Sequence, residues 1–181
     1  MRPPIDGSGF GELGYMATLA QQTRLEQLDT FVLEAVKDVC ATMLSWTATP
    51  VASSREDSPR PFELNEINGS IGFGGALSGS IFLSCPEKLV IEMARAILGH
   101  EYSTGARELS EVVAELTNML AGGCKSRLCD HQCPVVMSIP NVIRGKFIRA
   151  ASKDVRFMLQ HEFTVPIFGE TFKVITLGKF E

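Results

Sequence analysis

The sequence predicts an α/β protein of the α+β type: long helices packed on a largely antiparallel sheet. Three observations carry this. Apolar residues recur at three- and four-residue steps in long segments, near positions 24–46 and 107–128. Segments rich in Val, Ile, Phe and Thr gather in one glycine-rich hairpin and again near the end of the chain. The order is helix, hairpin, two helices, then several strands, without the regular βαβ alternation of a parallel sheet. With 181 residues, 45% hydrophobic and 21% charged, the chain is long and apolar enough for one domain with a core.

Residues 1–22 are rich in Gly, Pro, Ser and Gln and show little periodicity, so they read as a flexible leader, with Met1 and Met16 both open as the start. Residues 23–181 form the expected single domain. Its first helix runs from about Arg24 to Trp46, with Leu25, Leu28, Val32, Ala35, Val36, Val39 and Met43 on one stripe. "TPVASSREDSPRP" is polar and bounded by prolines, and reads as a loop. "FELNEINGSIGFGGALSGSIFLSCP" reads as a hairpin, Ile71 and Phe73 alternating on one arm and Ile81 and Leu83 on the other. Pro86 suits the first position of a second helix that stops at Gly99. "RELSEVVAELTNMLAGGCKSRL" is the third helix. "CPVVMSIP", "VRFMLQHEFTVPI" and "TFKVITLGKF" read as strands.

Net charge is −4 and the pI about 5.5, which argues against nucleic acid as the main partner. No segment approaches the roughly 18–20 apolar residues of a membrane helix. The start lacks the apolar stretch of a signal peptide. Five cysteines without a regular framework suit a reducing compartment. The expectation is a cytoplasmic protein.

The third helix carries the most information. At about 100° per residue, Leu109, Val112, Val113, Leu116, Met119 and Leu120 form a buried stripe. Glu111, Glu115, Asn118, Gly122 and Lys125 fall on the opposite, exposed face, with Glu115 and Asn118 about one turn apart. Glycine inside a helix costs about 1 kcal/mol relative to alanine. On an exposed face the missing side chain lets another object approach the backbone, which gives Gly122 a use. Gly123 lies nearer the buried side and is expected to let the helix pack tightly on the sheet. From the residues alone, an exposed Glu and Asn three apart are usually just a solvated face; the neighbouring glycine adds to the case for a site without deciding it.

Other motifs carry less. "GGCKS" has Met119 where a phosphate-binding loop needs its first glycine, and lies inside a helix. "GFGGALSG" puts Leu77 where a dinucleotide fingerprint needs its third glycine. Cys124, Cys129, His131 and Cys133 cluster near the helix end, but their spacing is not that of a zinc module, and buried thiols with a surface histidine are the simpler reading. His100 and His161 stand alone and read as solvated or hydrogen-bonded.

"ELTNMLAGGCKSRL" resembles the motif helix of the CheX branch of the CheC/CheX/FliY chemotaxis phosphatases, whose signature is Glu-x-x-Asn on an exposed helix followed by small residues. "IGFGGALSGSIFLSCPEKLVIEMARAILGHE" and "MSIPNVIRG" resemble the family's hairpin, following helix and proline-containing segment. The similarity covers roughly residues 25–180. It implies a CheC/CheX-like sandwich, and a phosphatase acting on the aspartyl phosphate of a CheY-like response regulator. Asn118 would orient the attacking water and Glu115 would hold the receiver's lysine. Glu111, Gly122 and Lys125 would border the docked partner. No metal would be bound by this chain, because the receiver supplies its own Mg²⁺. One Glu-x-x-Asn is present, as in CheX. The equivalent "EAVKDVCATML" helix has no Asn three after a Glu, and Glu111 stands where the family often has Asp or Ser. The resemblance also implies a homodimer through sheet edges, for which the apolar last strands are the candidates. The rival reading is a non-catalytic, FliM-like binding module that docks a response regulator or signalling partner. A phosphatase for a receiver outside chemotaxis is a third.

Overall fold

The computed structural model describes residues 8–57 and 59–181, with side chains described from residue 19 onward. Helix α1 spans Ser8–Val39 and ends in one π turn, Cys40–Leu44, closed by Ser45 in the left-handed region at φ 55°. Strand β1 is Thr49–Asp57, β2 Phe62–Leu64, β3 Ile67–Gly75 and β4 Leu77–Cys85. Helices α2 (Glu87–Leu98) and α3 (Glu108–Asp130) follow, then β5 (Val135–Met137), β6 (Asn141–Arg144), β7 (Ile148–Ala150), β8 (Phe157–Val165) and β9 (Glu170–Phe180).

The main sheet is antiparallel throughout, in the order β1-β8-β9-β4-β3-β5, with β6 pairing β3 alongside β5. The helices cover one face. Leu25, Leu28 and Val32 of α1, Leu89, Val90 and Met93 of α2, and Val113, Leu116 and Leu120 of α3 join Ile71, Ile81, Phe163 and Val174 of the sheet in one core. Burying a side chain of this size contributes roughly 1.5–3 kcal/mol. On the other face the β2–β7 ribbon caps a smaller cluster of Phe62, Leu64, Met158, Ile175 and Leu177. The expected α+β sandwich is therefore present.

Several boundaries differ from the sequence reading. Helix α1 begins at Ser8, so residues 8–22, Met16 among them, are helical where a leader was expected; Met1 lies outside the described residues. The segment read as a polar loop contains β1, exposed along its whole length. It is an edge strand, with a register shift at Pro50, and neither of its faces is covered enough to impose hydrophobic alternation. Strands β6 and β7 are too short to show a period. The last strands, expected to offer a free edge, are interior: β8 lies between β1 and β9, and β9 between β8 and β4. Pro86 sits one place earlier than expected, as the N-cap of α2 (ψ 142°), while Gly99 closes that helix at φ 73°, a conformation glycine adopts without strain.

His161 takes the hydrogen-bonded alternative. It is fully buried on β8, its Nδ1 2.9 Å from the Ser53 hydroxyl and its Nε2 3.2 Å from Asp29 Oδ1 of α1. Among the described residues no helix is long and apolar enough to cross a membrane.

Candidate functional site

Helix α3 buries Leu109, Val112, Val113, Leu116, Leu120, Ala121, Cys124 and Leu128, and turns Glu111, Glu115 and Asn118 to solvent. This is the stripe that the 100° wheel gives, with two changes. Met119 is only half-buried, and Thr117 is fully buried. Thr117 donates its hydroxyl to the Val113 carbonyl at 2.6 Å, which satisfies it without any sheet partner. It sits over Gly69 of β3, where a Cβ would collide with it. That pairing seats the helix on the sheet directly beside Asn118. A small β-branched polar residue in a helix gives no sequence signal of such a role.

The two glycines divide as the wheel suggests. Among the described residues, a Cβ at Gly122 meets nothing within 4 Å. One at Gly123 lies 3.2 Å from the Ala35 Cβ of α1. Gly123 therefore allows close packing on α1, not on the sheet as expected. Arg127 reinforces this contact, reaching Glu34 at 3.0 Å and Asp38 at 2.5 Å across the helix pair. The Asp38 hydrogen bond leads in raising the guanidinium's pKa against the cost of burial. These two acids lie in the "EAVKDVCATML" segment, so the helix without a second motif holds the helix that has one.

The N-terminus of α3 is fixed from below. Arg144 of β6 donates to the Ala106 carbonyl at 2.7 Å and pairs with Glu87 of α2 at 2.7 Å. Glu87 also accepts the Gly105 N–H at 3.0 Å. On the exposed face, Arg107 pairs with Glu111 at 3.2 Å. Among the described residues, Glu115 and Asn118 make no ion pair or side-chain hydrogen bond, so a carboxylate and an amide one turn apart stand open beside the bare backbone of Gly122. Lys125, half-buried, continues the line. The arrangement brings together all five residues singled out from the sequence. It offers a directional anion for a cationic side chain and an amide able to donate to and accept from one water molecule.

The cysteine cluster does not form a site. Cys124 and Cys133 are buried, but Cys129 is exposed, so not all three thiols are inside as expected. Burial pushes the Cys124 thiol up to about 12. His131 is exposed, with Nδ1 2.9 Å from the Arg127 carbonyl. No group of three or more His, Cys, Asp or Glu among the described residues is arranged to hold a metal ion.

Known proteins share this fold. The family model of the chemotaxis phosphatase CheX matches residues 67–163. A CheC-like superfamily protein from Shewanella sp. PV-4 superposes with a TM-score of 0.72 at 26% identity, over 83% of this chain and 97% of that one. The chemotaxis protein CheX from Vibrio vulnificus gives 0.69 at 26%, over 81% and 96%. CheX from Borrelia burgdorferi, solved in a complex with CheY, BeF₃ and Mg²⁺, shares the fold with a TM-score of 0.66 at 20% identity, over 83% and 96%. No curated protein matches.

Proposed function

The chain belongs to the CheX family of chemotaxis phosphatases, and from that premise we propose that it hydrolyses the aspartyl phosphate of a CheY-like receiver, using Asn118 and Glu115. The observation that carries the reading is the pair itself: an open amide and an open carboxylate on a helix packed against the sheet and α1, beside a glycine that leaves the backbone bare. An acyl phosphate is already labile, and a receiver holds its own Mg²⁺. The helper then needs neither nucleophile nor metal. It needs to place one water in line with phosphorus, and most of the gain is positional. The Asn118 amide is suited to hold that water, much as a glutamine does in GTPases. Glu115 is suited to pair with the receiver's lysine and so fix the register of docking. Glu111, Gly122 and Lys125 border the same contact. Support for the partner comes from the Borrelia burgdorferi protein of the same fold, which was solved bound to CheY.

The same reading includes a homodimer in the cytoplasm. The interior position of β8 and β9 moves the candidate edge to β1, whose outer side pairs with no strand among the described residues.

The test is the decay of purified phosphorylated receivers with and without the protein. The reading expects faster loss of phosphate from at least one CheY-like receiver of the same organism. Binding without acceleration of any of them would instead make the protein a docking module.

A further inference from the structure

The exposed face of α3 is almost wholly polar, yet an interface needs a desolvated anchor near its centre. The edge of the sheet beside α3 offers one. Strands β5 and β6 lie end to end along β3, interrupted at Ser138–Pro140. Ser138 stands opposite Gly72: the Gly72 N–H donates to the Ser138 hydroxyl at 2.9 Å, and the Ser138 N–H to the Gly72 carbonyl at 3.0 Å. Asn141 stands opposite Ser70. Ile139 and Pro140 therefore oppose the single residue Ile71, and the interruption is a β-bulge.

The strand register decides where Ile139 points. Side chains alternate along a strand. Val142 pairs with Gly69, whose Cβ direction meets Thr117 of α3, so Val142 and its neighbour two places on, Arg144, face the helices; the Arg144 guanidinium lies 3.5 Å from the Ser110 hydroxyl of α3. Ser138 lies against the Cβ position of Gly72 and Val136 against that of Gly74, which places both on the far face. Asn141, next to Val142, is on the far face as well. The two residues between Ser138 and Asn141 must then share the α3 face. The Ser138 hydroxyl donates to the Ile139 carbonyl at 2.9 Å, which ties down the backbone of the bulge, and Pro140 fixes its own φ. The Ile139 side chain is 86% exposed.

Its level along the helix follows from the same register. Thr117 lies over Gly69, and Ile71 is two residues further, about 7 Å along the strand. At about 1.5 Å per helical residue that is the level of Ala121, between Asn118 and Lys125. The flank agrees. Gly123 and Arg127 face α1, while Asn118 and Lys125 lie nearly opposite on the wheel, toward the β5–β6 edge.

We propose that Ile139, presented by this bulge, is the apolar anchor of the receiver-docking surface, completing the polar face of Glu115, Asn118, Gly122 and Lys125. The inference rests on the phosphatase reading above. The partner it selects is a receiver carrying an apolar surface residue within one side-chain length of its phosphorylation cleft.

The test uses the receiver identified by the decay assay, loaded with beryllium fluoride and Mg²⁺, and its affinity for the full chain measured by calorimetry. Ile139→Ser and Ile139→Lys should weaken binding by about tenfold and more than tenfold, respectively. They should raise KM for dephosphorylation while leaving kcat and the melting temperature unchanged. Val136→Ser, on the same edge but the far face and 67% exposed, should change nothing. Unchanged affinity in both Ile139 variants overturns the inference, as does an equal loss in Val136→Ser. Asn118→Ala in the same assay reports separately on the catalytic reading: loss of kcat there, with unaffected Ile139 variants, removes only the anchor. If no receiver is dephosphorylated at all, both fall.

Discussion

Glu115 and Asn118 are assigned different work, so their substitutions should separate in the kinetics. Glu115→Ala should raise KM for the phosphorylated receiver with a smaller change in kcat. Glu115→Lys should bind more weakly still, because two ammonium groups would face each other. Both should melt like the wild type, since the side chain is exposed. Steady-state kinetics beside a thermal melt checks this; a Glu115→Lys protein with an unchanged KM would remove the assigned contact. Much of this face was legible in the sequence, because helical period alone separates Glu111, Glu115 and Asn118 from Leu116 and Leu120. Thr117 was not legible. Its burial depends on Gly69, which is distant in sequence and carries no side chain to signal the contact. Ile139 was equally silent, since one apolar residue before a proline means little until the register of its strand is known.

At the scale of elements, the two glycines of α3 should behave oppositely. Gly122 faces open space, so Gly122→Ala should stabilise the protein by up to about 1 kcal/mol through helix propensity, raising Tm by about 2–4 °C for a chain of this size. Gly122→Leu should keep the fold but hold the receiver away, and a displacement of about 1 Å can cost around a hundredfold in rate. Gly123→Leu should lower Tm instead, because a side chain there meets Ala35 of α1. Melting curves and receiver decay for the three variants check this. A stable and fully active Gly122→Leu would mean the face does not dock closely. The α1–α3 contact also explains why Gly123 was misassigned: helical period says that a residue is buried, not which neighbour buries it. β1 was missed for a related reason, since an edge strand exposed on both faces has no apolar alternation to read.

For the molecule as a whole, the clasp between α1 and β1 sets a pH dependence. Burial lowers the His161 pKa from its ordinary 6.5, against the opposing pull of Asp29. In the unfolded chain the imidazole gains a proton near 6.5, while in the fold it resists one. Stability is therefore complete above about pH 7 and falls as pH drops through 6.5, until the fold itself protonates. Tm measured from pH 7.5 to 5 should decline more steeply for the wild type than for His161→Gln, and equal slopes would contradict the assignment. The edge position of β1, unpaired on its outer side among the described residues, predicts a homodimer, which light scattering at micromolar concentration checks; a monomer mass would remove it.

The central claim is that Asn118, held on a seated helix, orients the water that hydrolyses a receiver's aspartyl phosphate. The most direct measurement is the single-turnover decay of phosphorylated receiver at saturating protein, wild type beside Asn118→Ala. Asn118→Ala should bind the receiver with wild-type affinity, melt at the wild-type temperature, and lose about a hundredfold or more in rate. A variant that binds equally well and dephosphorylates at the wild-type rate would contradict it.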